Sequence, residues 1–187
     1  MRKISTLAAL SILLLASTLS LHAGSLAGVT MPDTVEAGGK TLVLNGMGLR
    51  TRFMIKIYVA GLYLEQKSSD ATAILQSDGP KRIVLQFVHG ASKSQIRSAF
   101  NDSFNDNATD ARKAVTGEID NFFAALDAVK DGDRMVFTYI PGTGTITAIN
   151  GTEKATIPGK AFAAVLFSVW LGPKPPNADL KKGILGA

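Results

Sequence analysis

Residues 45–65 read NGMGLRTRFMIKIYVAGLYLE and alternate so regularly that an extended strand is the natural outcome. Phe53, Ile55, Ile57, Val59 and Tyr63 fall on one parity, with Gly61 among them, while Arg50, Arg52, Lys56 and Tyr58 fall on the other. Successive side chains of a pleated strand point to opposite sides. One side of this segment is therefore suited to a core. The other carries a row of cations and a phenol, which either faces water or lines a cleft that receives an anion or a polarised carbonyl.

The beginning of the chain reads differently. Arg2 and Lys3 precede an apolar run over residues 7–15, and small residues follow, the layout of a secretory signal peptide. We expect residues 1–27 to hold that peptide, with cleavage after Ala23 or Ala27, and residues 28–187 to form the folded domain. About 160 residues suffice for one domain with a substantial core. The expected location is periplasmic or secreted.

Composition removes several classes of function. Losing Arg2 and Lys3 lowers the formal charge from +5 to +3, and the remaining basic residues are scattered, so nucleic acid is not an expected partner. No stretch after the leader has the apolar length of a membrane span. Cysteine is absent, which excludes thiolate nucleophiles, Cys-based metal sites and disulfides. His89 is the one histidine beyond the leader, so a Ser-His-Asp triad would have to use it and no His pair is available for a metal. No cofactor and no metal are expected.

Short strands are expected over residues 41–45, 52–64 and 82–89, with turns at Gly46-Met47-Gly48, at residues 68–70 and at Asp78-Gly79-Pro80. Residues 70–76 suit a short helix. Ser92 followed by Gln95 is a capping-box pattern, and Ile96, Phe100 and Phe104 repeat every four residues on one helical face. A second helix starts near Thr109 or Asp110, with Val115, Ile119, Phe122, Phe123, Leu126 and Val129 on its apolar side. Alternation returns over residues 134–140 and 145–149, Asn150-Gly151 marks a hairpin, and residues 154–157 form its return strand. Residues 161–171 are apolar nearly all round, as in a central buried helix, and Asn177 can cap a last helix running to Leu185. Strands, two helices, a meander and two more helices make an α+β protein with an antiparallel sheet.

Gly46-Met47-Gly48 and Gly142-Thr143-Gly144 lack the third glycine and the setting of a dinucleotide site. Trp170, within an apolar helix, reads as core. Taken together with Asp131-Gly132-Asp133, Pro141-Gly142-Thr143-Gly144, Asn150-Gly151 and the final AFAAVLFSVWLGPKPPNADLKKGILG, however, residues 46–65 closely resemble the bacterial chalcone isomerase-like family. These are exported relatives of plant chalcone isomerases and of fatty-acid-binding proteins of the same fold. The resemblance covers residues 35–186 and rests on the order and spacing of several segments. It implies an open-faced β-sandwich, a large antiparallel sheet with helices packed on one face and a ligand cleft between them.

The resemblance also implies site residues. Gly46-Met47-Gly48-Leu49-Arg50 resembles the Gly-x-Gly-x-Arg segment whose arginine guides the substrate oxyanion in the plant enzymes. Gly61-Leu62-Tyr63-Leu64-Glu65 resembles their Gly-Val-Tyr-Leu-Glu run, but Tyr58 stands where they carry a threonine. The fatty-acid-binding relatives place a tyrosine there, beside an arginine, to hold a carboxylate. For the enzymes' helix tyrosine the nearest matches are Ser94 or Gln95, for their asparagine Asn101, and for the hydroxyl of the late helix Ser168. Eight residues of straight strand span roughly 26 Å. Arg50 and Tyr58 therefore meet only if the glycine turn folds Arg50 back or a bulge shortens the run; otherwise Arg52 or Lys56 is the partner of Tyr58.

The expected function is a non-catalytic, monomeric binding protein that holds a fatty acid or similar amphipathic carboxylate, with Arg50, Tyr58, Asn101 and Ser168 as ligand-binding residues. An arginine and a phenol beside an apolar cleft hold a carboxylate by charge-assisted hydrogen bonds with no chemistry required. The alternative is an intramolecular lyase or isomerase acting on a chalcone-like enone, which needs donors aimed at a developing enolate. A third possibility is a structural module whose cleft is filled by its own side chains.

Overall fold

A computed structural model of the chain describes residues 23–187. The expected leader lies almost entirely outside the described residues, but Ala27 lies within them. Strands β1 (Ala23–Leu26) and β2 (Val29–Pro32) form a separate hairpin. Seven strands then build one antiparallel sheet in sequential order: β3 (Thr34–Ala37), β4 (Lys40–Arg52), β5 (Ile55–Leu64), β6 (Lys81–Phe87), β7 (Arg134–Ile140), β8 (Gly144–Ile149) and β9 (Thr152–Ile157). Helix α1 (Ala71–Gln76) joins β5 to β6. Helix α2 (Lys93–Asn107), a 3-10 turn and α3 (Thr116–Ala125) join β6 to β7, and α4 (Lys160–Leu171) and α5 (Ala178–Ile184) follow the sheet. The α+β architecture with helices on one face is as expected.

Helix α2 starts where the capping pattern places it. The Ser92 hydroxyl accepts from the Gln95 amide at 3.2 Å, and the Gln95 side chain accepts from the Ser92 amide at 2.8 Å. Its stripe of Ile96, Phe100 and Phe104 is buried with Phe122 of α3, Phe137 of β7, and Phe162 and Trp170 of α4. Phe100 meets the Phe122, Phe137 and Trp170 rings edge to face, with centroids 4.9, 5.7 and 5.9 Å away. A smaller core on the opposite face joins Val59 and Tyr63 of β5 to Met31, Leu42, Leu44 and Val84 beneath the β1–β2 hairpin. Beyond Ile57, strand β5 is thus covered on both sides, and for this reason Ala60, Leu62 and Leu64 are apolar too.

The expected course of residues 41–64 is corrected. β4 continues through Gly46 and Gly48, and the chain reverses at Phe53 and Met54. The two glycines serve packing rather than turning. A β-carbon on Gly46 would strike the Gly183 carbonyl, and one on Gly48 the Leu180 carbonyl, so their absence lets the backbone of α5 lie against the strand. Phe53 and Ile55, assigned above to a core face, are 86% and 50% exposed at the reversal. β1, β2 and β3 are also additions to the expected elements. Each has only four residues, too few for an alternation to stand out.

Candidate functional site

The reversal at Phe53 and Met54 brings Arg50 directly opposite Tyr58 in the β4–β5 ladder. Residues paired in this way share one face of the sheet. The Arg50 guanidinium carbon lies 5.9 Å from the centre of the Tyr58 ring. The fold-back needed for these two residues to meet therefore exists, but at the tip of the hairpin rather than at the glycines. A register shift follows immediately, between Arg50 and Thr51, and re-aims the end of β4.

Tyr58 sits at the foot of a cleft of about 230 Å³. The floor is the ends of three strands, with Arg50 and Arg52 from β4, Ile57 and Tyr58 from β5, and Leu85 and Phe87 from β6. Ile96, Phe100 and Ser103 of α2 form one wall, Val169 and Trp170 of α4 close the inner end, and His89, Gln95 and Pro176 are also in the lining. The Trp170 indole donates to the Tyr58 hydroxyl at 3.0 Å. The hydroxyl's own proton is thus left for another acceptor. Burial pushes the Tyr58 pKa up, with the charge of Arg50 opposing, so at neutral pH the group is a phenol and a donor. Among the described residues Arg50 forms no ion pair, so its positive charge is unpaired and faces the Tyr58 hydroxyl. A carboxylate placed between the two would find a cation, a phenol and a largely apolar chamber for the rest of the molecule.

The other two expected ligand-binding residues are placed elsewhere. Asn101 accepts from the Arg112 guanidinium at 3.1 Å, on the side of α2 away from the cleft lining. The Ser168 hydroxyl donates to the Val165 carbonyl of its own helix at 2.7 Å, the back-bonding typical of a buried helical serine. Of the two matches weighed for the helix tyrosine, Gln95 borders the cleft, with its amide oxygen engaged in the α2 cap. Arg52 also borders the cleft; Lys56 does not.

Trp170 and His89 are the site residues that sequence reasoning passed over. Trp170 belongs to the core, being 1% exposed, and also forms the inner end of the cleft. Its spacing from Tyr58 carries no local signal, because the 3.0 Å bond joins residues 112 positions apart. His89 follows β6 where the strand ends and lines the cleft. No cluster of three His, Cys, Asp or Glu side chains that could hold a metal ion occurs among the described residues.

Comparison with known proteins bears on both fold and family. No curated protein sequence matches this chain. The crystal structure of a fatty-acid binding protein of Arabidopsis thaliana superposes with a TM-score of 0.68 at 14% identity, covering 88% of this chain and 96% of that one. At that identity the likeness establishes a shared fold. The sequence itself matches the model of a chalcone isomerase-like family over residues 23–186. This range takes in both the β1–β2 hairpin and α5, which packs against the strand carrying Arg50. A match from the first described strand to the last helix means that the chain belongs to the chalcone isomerase-like family.

Proposed function

We propose that this protein binds a small amphipathic carboxylate, such as a fatty acid, without transforming it. The carboxylate sits between Arg50 and Tyr58, and the tail lies in the cleft toward Phe100 and Trp170. The observation that carries this reading is the cross-strand Arg50–Tyr58 pair, with the arginine outside any ion pair among the described residues and the phenol held by Trp170. The fatty-acid binding neighbour of the same fold supports it. A threonine in place of Tyr58 would leave the cleft wider and the indole without its acceptor. The phenol therefore fills space that a bulky aromatic enone would need.

Trp170 is the only tryptophan of the chain and lies against the site, so its fluorescence reports binding directly. A titration with decanoate should change that fluorescence, and Arg50→Ala should weaken binding by about tenfold or more, the worth of a charge-assisted contact. Tyr58→Phe should weaken it less. Turnover of naringenin chalcone above the spontaneous rate, lost in Arg50→Ala, would overturn the non-catalytic reading. Export belongs to the same proposal. Cleavage after Ala27 would cut the β1–β2 turn and remove β1, whereas cleavage after Ala23 would keep that hairpin nearly whole. The intact mass of protein recovered from its own host distinguishes the two.

A further inference from the structure

Among the described residues four hairpins turn on two residues, each with positive φ at both positions, the geometry of a type I′ turn. Three use glycine where the conformation asks for it: Ala27-Gly28, Gly38-Gly39 and Asn150-Gly151. The fourth is Phe53-Met54, with φ of 48° and 64°. Bulky side chains there are a backbone outlier, and neither is packed into the fold, Phe53 being 86% and Met54 98% exposed. With Ile55, 50% exposed, they are the only large apolar side chains exposed among the described residues, and all three sit on one tip.

The rim of that tip is cationic. Residues 50–56 carry Arg50, Arg52 and Lys56 and no carboxylate, and none of the three forms an ion pair with a described residue. The Arg52 guanidinium lies 5.4 Å from the centre of the Phe53 ring, so charge and apolar surface are in contact. Arg50 and Arg52 also line the cleft, which places the tip beside its mouth.

We propose that the β4–β5 tip docks on an anionic lipid surface, Phe53, Met54 and Ile55 entering the acyl boundary while Arg52 and Lys56 meet the headgroups. Apolar side chains at the point of a convex finger with cations behind them match the depth profile of a membrane interface. A second copy of the chain fits less well. Three side chains of this size offer on the order of 500 Å², short of the roughly 800 Å² per partner of a stable interface. Docking rests on the tip alone; only the corollary, that a ligand passes between membrane and cleft, rests on the binding reading above.

The test compares the full chain with a Phe53→Asn/Met54→Gly variant and with Lys56→Glu, by flotation on phosphatidylethanolamine vesicles containing phosphatidylglycerol and on pure phosphatidylcholine vesicles. All three proteins share residues 1–22, so only differences between them are read. The wild type should partition to the anionic vesicles, less so as salt rises. Phe53→Asn/Met54→Gly should raise Tm, because it suits the turn, and should lower partitioning by about tenfold or more. Lys56→Glu should lower partitioning at unchanged Tm. Partitioning of the Phe53→Asn/Met54→Gly and Lys56→Glu variants within about twofold of the wild type, or equal binding to both vesicle types, would overturn the proposal. Self-association that depends on the tip, without flotation, would overturn it in favour of a second copy. Decanoate binding in vesicle-free solution separates the two readings: docking can fail while it persists, and it can fail while docking persists.

Discussion

Lys81 opens β6 on the helix-facing side of the sheet and is buried, which costs stability at neutral pH. Its ammonium donates to the Ser77 carbonyl at 2.8 Å and lies 5.2 Å from the centre of the Tyr139 ring. Those contacts do not offset the lost hydration. Burial first, and the charge of Lys160 second, pull its pKa down to about 8 against an opposing pull from Asp78. A lysine whose pKa is lower folded than unfolded binds fewer protons in the native state, so stability rises with pH from near the folded pKa to near the unfolded one. Tyr63 and Tyr139, both pushed up to about 12, act in the opposite direction once unfolded tyrosines ionise above about pH 10. Urea unfolding should therefore show stability climbing between about pH 8 and 10, by on the order of 2 kcal/mol relative to Lys81→Met, whose profile should stay flat there. A parallel climb in both proteins would contradict the assignment. Little at this scale was legible in the sequence. The strand expected over residues 82–89 leaves Lys81 outside it, and nothing local links Trp170, which reads as core, to Tyr58, which reads as a ligand-binding residue.

Elements were easier to foresee where their own residues specify them. The α2 cap, the four-residue phenylalanine spacing and the Asn150-Gly151 hairpin are local instructions, and the chain follows them. The β4–β5 hairpin shows the converse. Phe53-Met54 has no turn chemistry and reads as strand, whereas Gly46-Met47-Gly48 has turn chemistry and is strand, because α5 needs the space its glycines leave. The sequence accordingly lets Arg50 and Tyr58 meet only through a fold-back at the glycines or a bulge, whereas the reversal that pairs them lies at Phe53-Met54. Asn45 marks the same seam. It falls at a β4 bulge and spans outward, its amide donating to the Ile184 carbonyl at 2.8 Å and to the Ser68 carbonyl at 3.0 Å. If Gly48 is bare for the sake of α5, then Gly48→Ala forces strand and helix apart at backbone, where no flexible side chain can yield. We expect a loss of roughly 2–4 kcal/mol and faster hydrogen exchange over residues 178–184, with β7 to β9 unaffected until global unfolding. A stable Gly48→Ala protein with protected α5 amides would show that the close approach has slack.

At the scale of the molecule, the sheet, α2 and α4 meet around the aromatic cluster, and the cleft is the space left over at one end. Its inner limit is Phe100 and Trp170, both tied into that cluster by edge-to-face contacts. At about 230 Å³ the cleft is smaller than the roughly 300–1,000 Å³ of sites that enclose drug-sized ligands. A bound tail therefore meets a wall. Each methylene buried before the wall is worth about 0.8 kcal/mol, close to a fourfold gain in affinity. Across a series of straight-chain carboxylates measured by calorimetry, affinity should climb by that factor per carbon and then level off once the tail reaches Phe100. Phe100→Leu takes away part of the wall but keeps an apolar side chain, so the plateau should move to longer acids while the shortest bind as before. The alternative is that the helices part to admit any length. In that case affinity keeps rising, Phe100→Leu changes nothing, and each added carbon brings a heat-capacity decrement from newly buried surface without a break. A plateau that shifts with residue 100 means the closed core sets the ligand's length, and that the same packing which holds the sheet to its helices selects what the protein carries.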